Sequence, residues 1–171
     1  MSDEIISLRE ESVAAQSMRF DLAKFKLIAT AVLGSIAVGA GTTDGTERLP
    51  YVMGLIPLVS IYIDLIANTK QIQILVIGSF LKGYGNGVFS EYEKFCSDLR
   101  TKRNVFADSY AFYVSTSALS IAIALYGIGQ LIFLSQPNFA EVAVHILSGT
   151  LGFLVSFYIN KKFVWRCEGI N

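Results

Sequence analysis

The stretch "LVSIYIDLIANTK", residues 58–70, decides the fold, because it sets a carboxylate, Asp64, near the end of an otherwise apolar helix. The polar residues Asn68 and Lys70 follow it, and Pro57 precedes it by two turns. An apolar run that ends in polar and basic residues is typical of a helix that leaves the bilayer. The stretch therefore predicts a transmembrane helix whose inner end lies close to Asp64.

Composition supports a membrane protein. The chain has 171 residues, of which 53% are hydrophobic and 16% are charged, whereas soluble domains usually carry about 25% charged residues. The formal net charge is zero, so no basic field points to a nucleic-acid partner. The lipid bilayer is the expected partner.

Working outward from Asp64, segments with about 20 apolar residues, enough to cross a bilayer, occur at four places. Short, turn-rich connections at 41–50 and 135–138 join them in pairs. The sequence therefore predicts an all-α fold, a four-helix transmembrane bundle of two hairpins with a cytoplasmic helical extension. The predicted spans are 25–41, 51–67, 110–134 and 139–160.

Basic residues predict the orientation. Of the 14 Lys and Arg residues, one, Arg48, lies in the two short connections, whereas Lys26 lies at the inner end of the first span and the others lie in the N-terminal, central and C-terminal segments. Under the positive-inside rule, both termini and the central segment are cytoplasmic, which fits a multi-pass protein of the bacterial inner membrane. The predicted parts are a cytoplasmic helix (1–24), a hairpin (25–67), a cytoplasmic segment (68–109), a second hairpin (110–160) and a tail (161–171).

The central segment carries a candidate surface for a cytoplasmic protein partner. Ser90 and Glu93 form a capping box, so a helix is expected to start there. Its apolar face consists of Phe89, Tyr92, Phe95 and Leu99.

Asp64 and His145 are the candidates for an ion pathway. Asp64 has two interpretations. In the first, the carboxylate reaches headgroup water or pairs with a lysine such as Lys24 or Lys26. In the second, copies of Asp64 form a ring of carboxylates at a pore mouth in an oligomer. His145 either hydrogen-bonds across helices or forms a similar ring.

Small residues recur at i, i+4 spacing within the spans, where they let helix backbones approach closely. Some of these positions are expected to pack within the chain and others between copies, which predicts a homo-oligomer. The candidates are Ser35, Gly39, Ser148, Gly152 and Ser156.

Catalytic and metal-binding patterns are missing from the sequence. His145 is its one histidine, and the spacing of Cys96 and Cys167 matches no zinc signature. A hydrolase triad and a phosphate-binding loop are also lacking. The sequence predicts a protein that is not an enzyme and that has no metal or cofactor.

The stretch "IPLVSIYIDLIANTKQIQILVIGSFLK" (56–82) resembles a pattern in small, mostly uncharacterised bacterial four-span integral membrane proteins. There a Pro-containing span ends in Asp and precedes a cytoplasmic helix of the form I-x-x-I-G-x-[YF]-[IL]-[KR]. The matching positions here are Pro57, Asp64, Ile74, Ile77, Gly78, Phe80, Leu81 and Lys82.

A more distant resemblance is to the SLATT-type membrane effectors of bacterial conflict systems. They have a cytoplasmic helix before a membrane hairpin and a long helix after it, although with two spans. That resemblance implies perforation of membranes in antiviral defence.

Three functions follow as expectations. The first is an oligomeric membrane protein that forms or gates a pore, as a defence effector would. The alternative is a membrane anchor or scaffold that binds a cytoplasmic partner. A small transporter ranks third, because the spans carry few polar residues besides Ser and Thr.

Overall fold

The computed structural model describes residues 2–39, 49–84, 91, 94, 107–135 and 137–168. Within that part of the chain the regular structure is entirely helical, which confirms the predicted all-α class. A short 3₁₀ turn, Pro50–Gly54, precedes the second helix. The α-helices are α1 (Ser2–Ala37), α2 (Leu55–Tyr84), α3 (Ala107–Phe133) and α4 (Phe139–Glu168).

Three of these helical segments are long and apolar enough to cross a membrane: Pro50–Leu81, Tyr110–Phe133 and Phe139–Lys162. This confirms the prediction of a multi-pass membrane protein at that level. Helix α1 does not contain an apolar stretch long enough to be counted with them. Its first two thirds are rich in charge, and only 25–37 is largely apolar.

The helices pack in a simple order. Helix α1 packs chiefly along α2, and α3 packs along α4, while α2 contacts both α3 and α4. The 3₁₀ turn contacts α1 and α4. The end of the bundle where this turn meets the start of α4 is called the turn end below.

Helix α2 runs without a break past the predicted membrane boundary at residue 68. Between Pro57 and Gly78 the sequence contains neither Pro nor Gly, so nothing stops the helix. A proline in the interior of a span would loosen the helix, but Pro57 is not in the interior. It lies instead in the first turn of α2, where its missing N–H costs little, and it therefore starts the helix.

Helix α1 ends just before Gly39, which has a φ of 76°. This left-handed conformation is readily available to glycine, and the Gly39 N–H donates to the Ile36 carbonyl at 3.1 Å. Gly39 therefore ends the helix in this single chain, and its packing between copies stays a prediction. Ser35 itself is exposed on the surface of this single chain.

Candidate functional site

The small residues of α4 lie inside the chain's own bundle. Gly152 and Ser156 are buried, and Ser148 is half-buried. A Cβ added to Gly152 would lie 2.5 Å from Ser120 Oγ on α3 and 2.7 Å from Pro57 Cβ on α2. These positions therefore bring three helices together within one chain, the intrachain role that the sequence left open beside contacts between copies.

The bundle also holds a buried charge pair, Lys26 on α1 and Asp64 on α2. The Lys26 Nζ donates to Asp64 Oδ1 at 2.8 Å. Lys26 is 5% exposed and Asp64 is 2% exposed. The structure thus shows the carboxylate engaged by Lys26, one of the two pairing partners that the sequence suggested.

Helix α3 completes the surroundings of the pair. Besides Asp64, the ammonium of Lys26 lies within hydrogen-bond distance of the Phe112 carbonyl (2.8 Å), Ser115 Oγ (2.9 Å) and Thr116 Oγ1 (2.6 Å). The Phe112 ring centroid lies 5.3 Å from the same nitrogen. An ammonium has three protons, so the oxygens around Lys26 exceed its donors by one.

Thr116 connects the two charges. Its hydroxyl accepts from Lys26 and donates to Asp64 Oδ2 at 2.6 Å. Ser115 likewise donates to the Phe112 carbonyl at 2.7 Å, which leaves its oxygen free to accept from Lys26. Helices α1, α2 and α3 are therefore joined through one buried polar cluster.

Such a cluster is costly in a membrane. Removing two ions from water costs several kcal/mol each, and their attraction offsets this only with good geometry and additional hydrogen bonds. An ionisable residue within a span is accordingly a candidate functional residue. The arrangement can neutralise Asp64 while α1 is in place, and would leave an oxygen-lined acidic site if α1 moved away.

Sequence reasoning identified Asp64 and Lys26 but missed Thr116, Ser115 and the Phe112 carbonyl. Threonine and serine are ordinary in spans, because they hydrogen-bond to their own helix, so neither residue stood out. The sequence did contain one indication: Ser115 and Thr116 lie near the start of an apolar span, at the same depth as Asp64, whose charge needs polar neighbours.

His145 lies at the other end of the bundle and is fully buried. Its Nε2 lies 2.9 Å from the Pro50 carbonyl, and its Nδ1 lies 3.3 Å from Gln130 Oε1. The Tyr126 ring meets its imidazole edge-on at 5.2 Å. His145 thus hydrogen-bonds across helices, while a ring in an oligomer stays a prediction. The structure does not bring His145 and Asp64 together.

The predicted partner surface formed by Phe89, Tyr92, Phe95 and Leu99 lies outside the described residues. Comparison of the chain with protein-family models, with curated proteins and with solved structures gives no match. The resemblances drawn from the sequence therefore stay predictions.

Proposed function

We propose that the protein is an integral membrane protein that forms or gates an ion pathway, and that the Lys26–Asp64 pair keeps it closed. The observation that supports this proposal is a fully paired charge buried between α1 and the apolar helices α2 and α3. In this state the carboxylate oxygens of Asp64 accept hydrogen bonds from Lys26 and Thr116, so they are not available to bind a passing ion.

The proposal includes α1 as a fourth crossing. Lys26 lies level with Asp64, and Glu11 accepts a hydrogen bond from Gln73 further along α2, so α1 runs antiparallel to α2 over much of its length. About 14 Å of α2 separates its start at Leu55 from Asp64, at roughly 1.5 Å per residue. A helix with a buried, paired lysine can follow α2 through this depth, because the pair removes its net charge.

An open pathway requires α1 to move or copies to associate, since side chains fill the interior of the single chain. The largest fully buried residues there include Ile63, Thr116 and His145. Helix α1 is the element best placed to move, because most of its packing is against a single helix, α2. Its departure would expose Asp64 with the hydroxyls of α3, and oxygen ligands of this kind suit hard cations. We propose a homo-oligomer in which these faces line the pathway.

The test is ion flux through liposomes that contain the purified protein. Lys26→Met removes the ammonium that joins α1 to Asp64 and to α3, which disfavours the closed state, so cation flux should rise at least several-fold above wild type. Asp64→Asn also breaks the pair and should raise flux, but with a weaker preference for cations over anions, because the carboxylate is lost. Lys24→Met is the matched control, since Lys24 is exposed and its contacts among the described residues, with Asp21 and the Phe20 ring, lie on its own helix.

The charge-reversed double variant Lys26→Asp/Asp64→Lys should return flux towards the wild-type level, because it restores opposite charges across the same interface. Folded Lys26→Met and Asp64→Asn proteins whose flux matches that of wild type and of Lys24→Met would contradict the proposal.

A second candidate, a membrane anchor for a cytoplasmic partner, is supported by the N-terminal part of α1. Ile6 and Val13 are more than half exposed there. A groove of about 510 Å³ alongside α1 is lined, among the described residues, by Ile5, Ile6, Arg9, Glu10, Val13, Ala14 and Ser17. Val13→Asp should then abolish co-purification of a soluble partner while leaving liposome flux unchanged, whereas a gating protein would show no dependence on a partner.

A further inference from the structure

The surroundings of His145 carry an inference that does not rest on the proposed ion pathway. The residues concerned are His145, Gln130 and Glu141, called the His145 cluster here. Gln130 and Thr116 lie about 20 Å apart along α3, at roughly 1.5 Å per residue, so the His145 cluster is separate from the Lys26–Asp64 pair.

Both imidazole nitrogens face oxygen atoms that can only accept hydrogen bonds. Nε2 lies 2.9 Å from the Pro50 carbonyl, and Nδ1 lies 3.3 Å from the side-chain carbonyl Oε1 of Gln130. A neutral imidazole has one N–H and one acceptor nitrogen, whereas an imidazolium donates from both. The arrangement is complementary to the imidazolium.

Gln130 is fixed in this orientation by Glu141. The Gln130 amide nitrogen donates to Glu141 Oε1, so its carbonyl must point the other way, towards His145. Rotating the amide to suit a neutral histidine would set the Gln130 carbonyl against the Glu141 carboxylate. Because the amide N–H of Gln130 donates to Glu141, the amide carbonyl is left to accept a hydrogen bond from His145.

Two features favour a charged Glu141. It lies in the first turn of α4, where the helix dipole stabilises a negative charge. It also lies four residues before His145, on the same helix face. The negative charge of Glu141 and the positive charge of an imidazolium would then balance within one partly buried cluster.

We propose that the His145 cluster is a proton-binding site: His145 takes up a proton to become an imidazolium, which Pro50, Gln130 and Glu141 hold in place. Proton uptake links α3 to α4 through Gln130 and secures the 3₁₀ turn at Pro50. Loss of the proton leaves the Nδ1 lone pair facing Gln130 Oε1, so that the bridge from His145 to Glu141 breaks.

The groups that face or adjoin His145 in the described part of the chain come from three elements. Glu141 comes from its own helix, and Gln130 and Tyr126 come from α3. The Pro50 carbonyl comes from the 3₁₀ turn, next to Tyr51, whose hydroxyl accepts from Asn138 at 2.9 Å. Glu141 is the one carboxylate in this set, so it is the group to vary.

Nitrogen NMR of histidine-labelled protein in lipid bilayers tests the proposal, because His145 is the only histidine in the sequence and needs no assignment. The ring nitrogens are followed between about pH 5 and pH 8, the range in which histidine ordinarily changes charge. Wild type should show both ring nitrogens protonated at the acidic end of this range. In Glu141→Gln and Gln130→Met the fraction of His145 with both nitrogens protonated should be smaller than in wild type at the same pH.

Glu11→Gln is the matched control, since it makes the same chemical change at Glu11, whose described partner is Gln73 on α2. Its ring-nitrogen spectrum should match that of wild type at each pH. A wild-type spectrum that keeps one bare ring nitrogen throughout the range would overturn the proposal. An equal doubly protonated fraction in folded Glu141→Gln protein and wild type would overturn it as well. Folding of each variant is checked by thermal unfolding in detergent.

Discussion

At the scale of single residues, Thr116 is expected to contribute to stability because it hydrogen-bonds to both members of the charge pair. It is fully buried and its hydroxyl both accepts from Lys26 and donates to Asp64. Hydrogen bonds to charged groups are worth more than those between neutral groups, and here one hydroxyl serves both members of the charge pair.

Thr116→Val should therefore destabilise the protein although it keeps the shape of the side chain. We expect a loss of about 1–3 kcal/mol, because two charged groups each lose a buried partner. Thermal unfolding in detergent measures the change. Thr116→Ser keeps the hydroxyl and should behave like wild type. A Val variant as stable as the Ser variant would show that the hydroxyl contributes little.

The charge pair was predictable from the sequence in part. Asp64 stood out because a carboxylate in an apolar stretch needs a counter-charge, and few lysines lie at a matching depth, which brought Lys24 and Lys26 forward together. Choosing between them required the packing of α1 on α2, which periodicity does not fix. Gln130 and Glu141 were missed because their roles depend on the orientation of one amide.

At the scale of helices, the glycines of α3 and α4 show how one residue type serves different purposes. A Cβ on Gly152 would meet Ser120 and Pro57 at less than 3 Å, whereas a Cβ on Gly129 would meet nothing within 4 Å. The first glycine permits close helix packing, and the second has no such role. The sequence shows both glycines in apolar helices and does not distinguish them.

Gly152→Ala should lower stability by about 1–3 kcal/mol, because overpacking forces the helices apart. Gly129→Ala is the matched control and should be neutral or slightly stabilising, since alanine favours helix by up to about 1 kcal/mol. Thermal unfolding of both variants in the same detergent gives the comparison. Equal unfolding temperatures would mean that the bundle adapts to the added methyl group without cost.

At the scale of the whole molecule, the orientation in the membrane follows from the distribution of Lys and Arg. We expect the termini and the central segment on the cytoplasmic side, and the turn end on the other side. Cys96 and Cys167 should then resist a membrane-impermeant thiol reagent in intact cells and react after lysis. In a background with both cysteines replaced by serine, Ser135→Cys, at an exposed position near the turn end, should react in intact cells. Labelling of Cys96 or Cys167 before lysis would contradict the predicted orientation.

The whole-molecule fold was predicted as far as the helices and their membrane character. The place where α2 leaves the bilayer was harder, because the polar residues from Asn68 to Gln73 interrupt the apolar pattern while the helix continues to Tyr84. Hydropathy reports the solvent that a segment prefers, and helix length depends on the absence of breakers. The two boundaries therefore need not coincide.

The central claim is that the Lys26–Asp64 pair holds α1 against the bundle, and one distance measurement tests it most directly. Spin labels are attached at Ser35→Cys on α1 and Ala118→Cys on α3, both exposed positions, in a background with Cys96 and Cys167 replaced by serine. Double electron–electron resonance is recorded in lipid nanodiscs, with unlabelled protein in excess.

The wild-type pair should give a single narrow distance distribution, and Lys24→Met should leave it unchanged. Lys26→Met and Asp64→Asn should each broaden the distribution and shift it to longer distances, because the ion pair that holds α1 in the bundle is lost. The same narrow distribution in wild type, Lys26→Met and Asp64→Asn would contradict the claim.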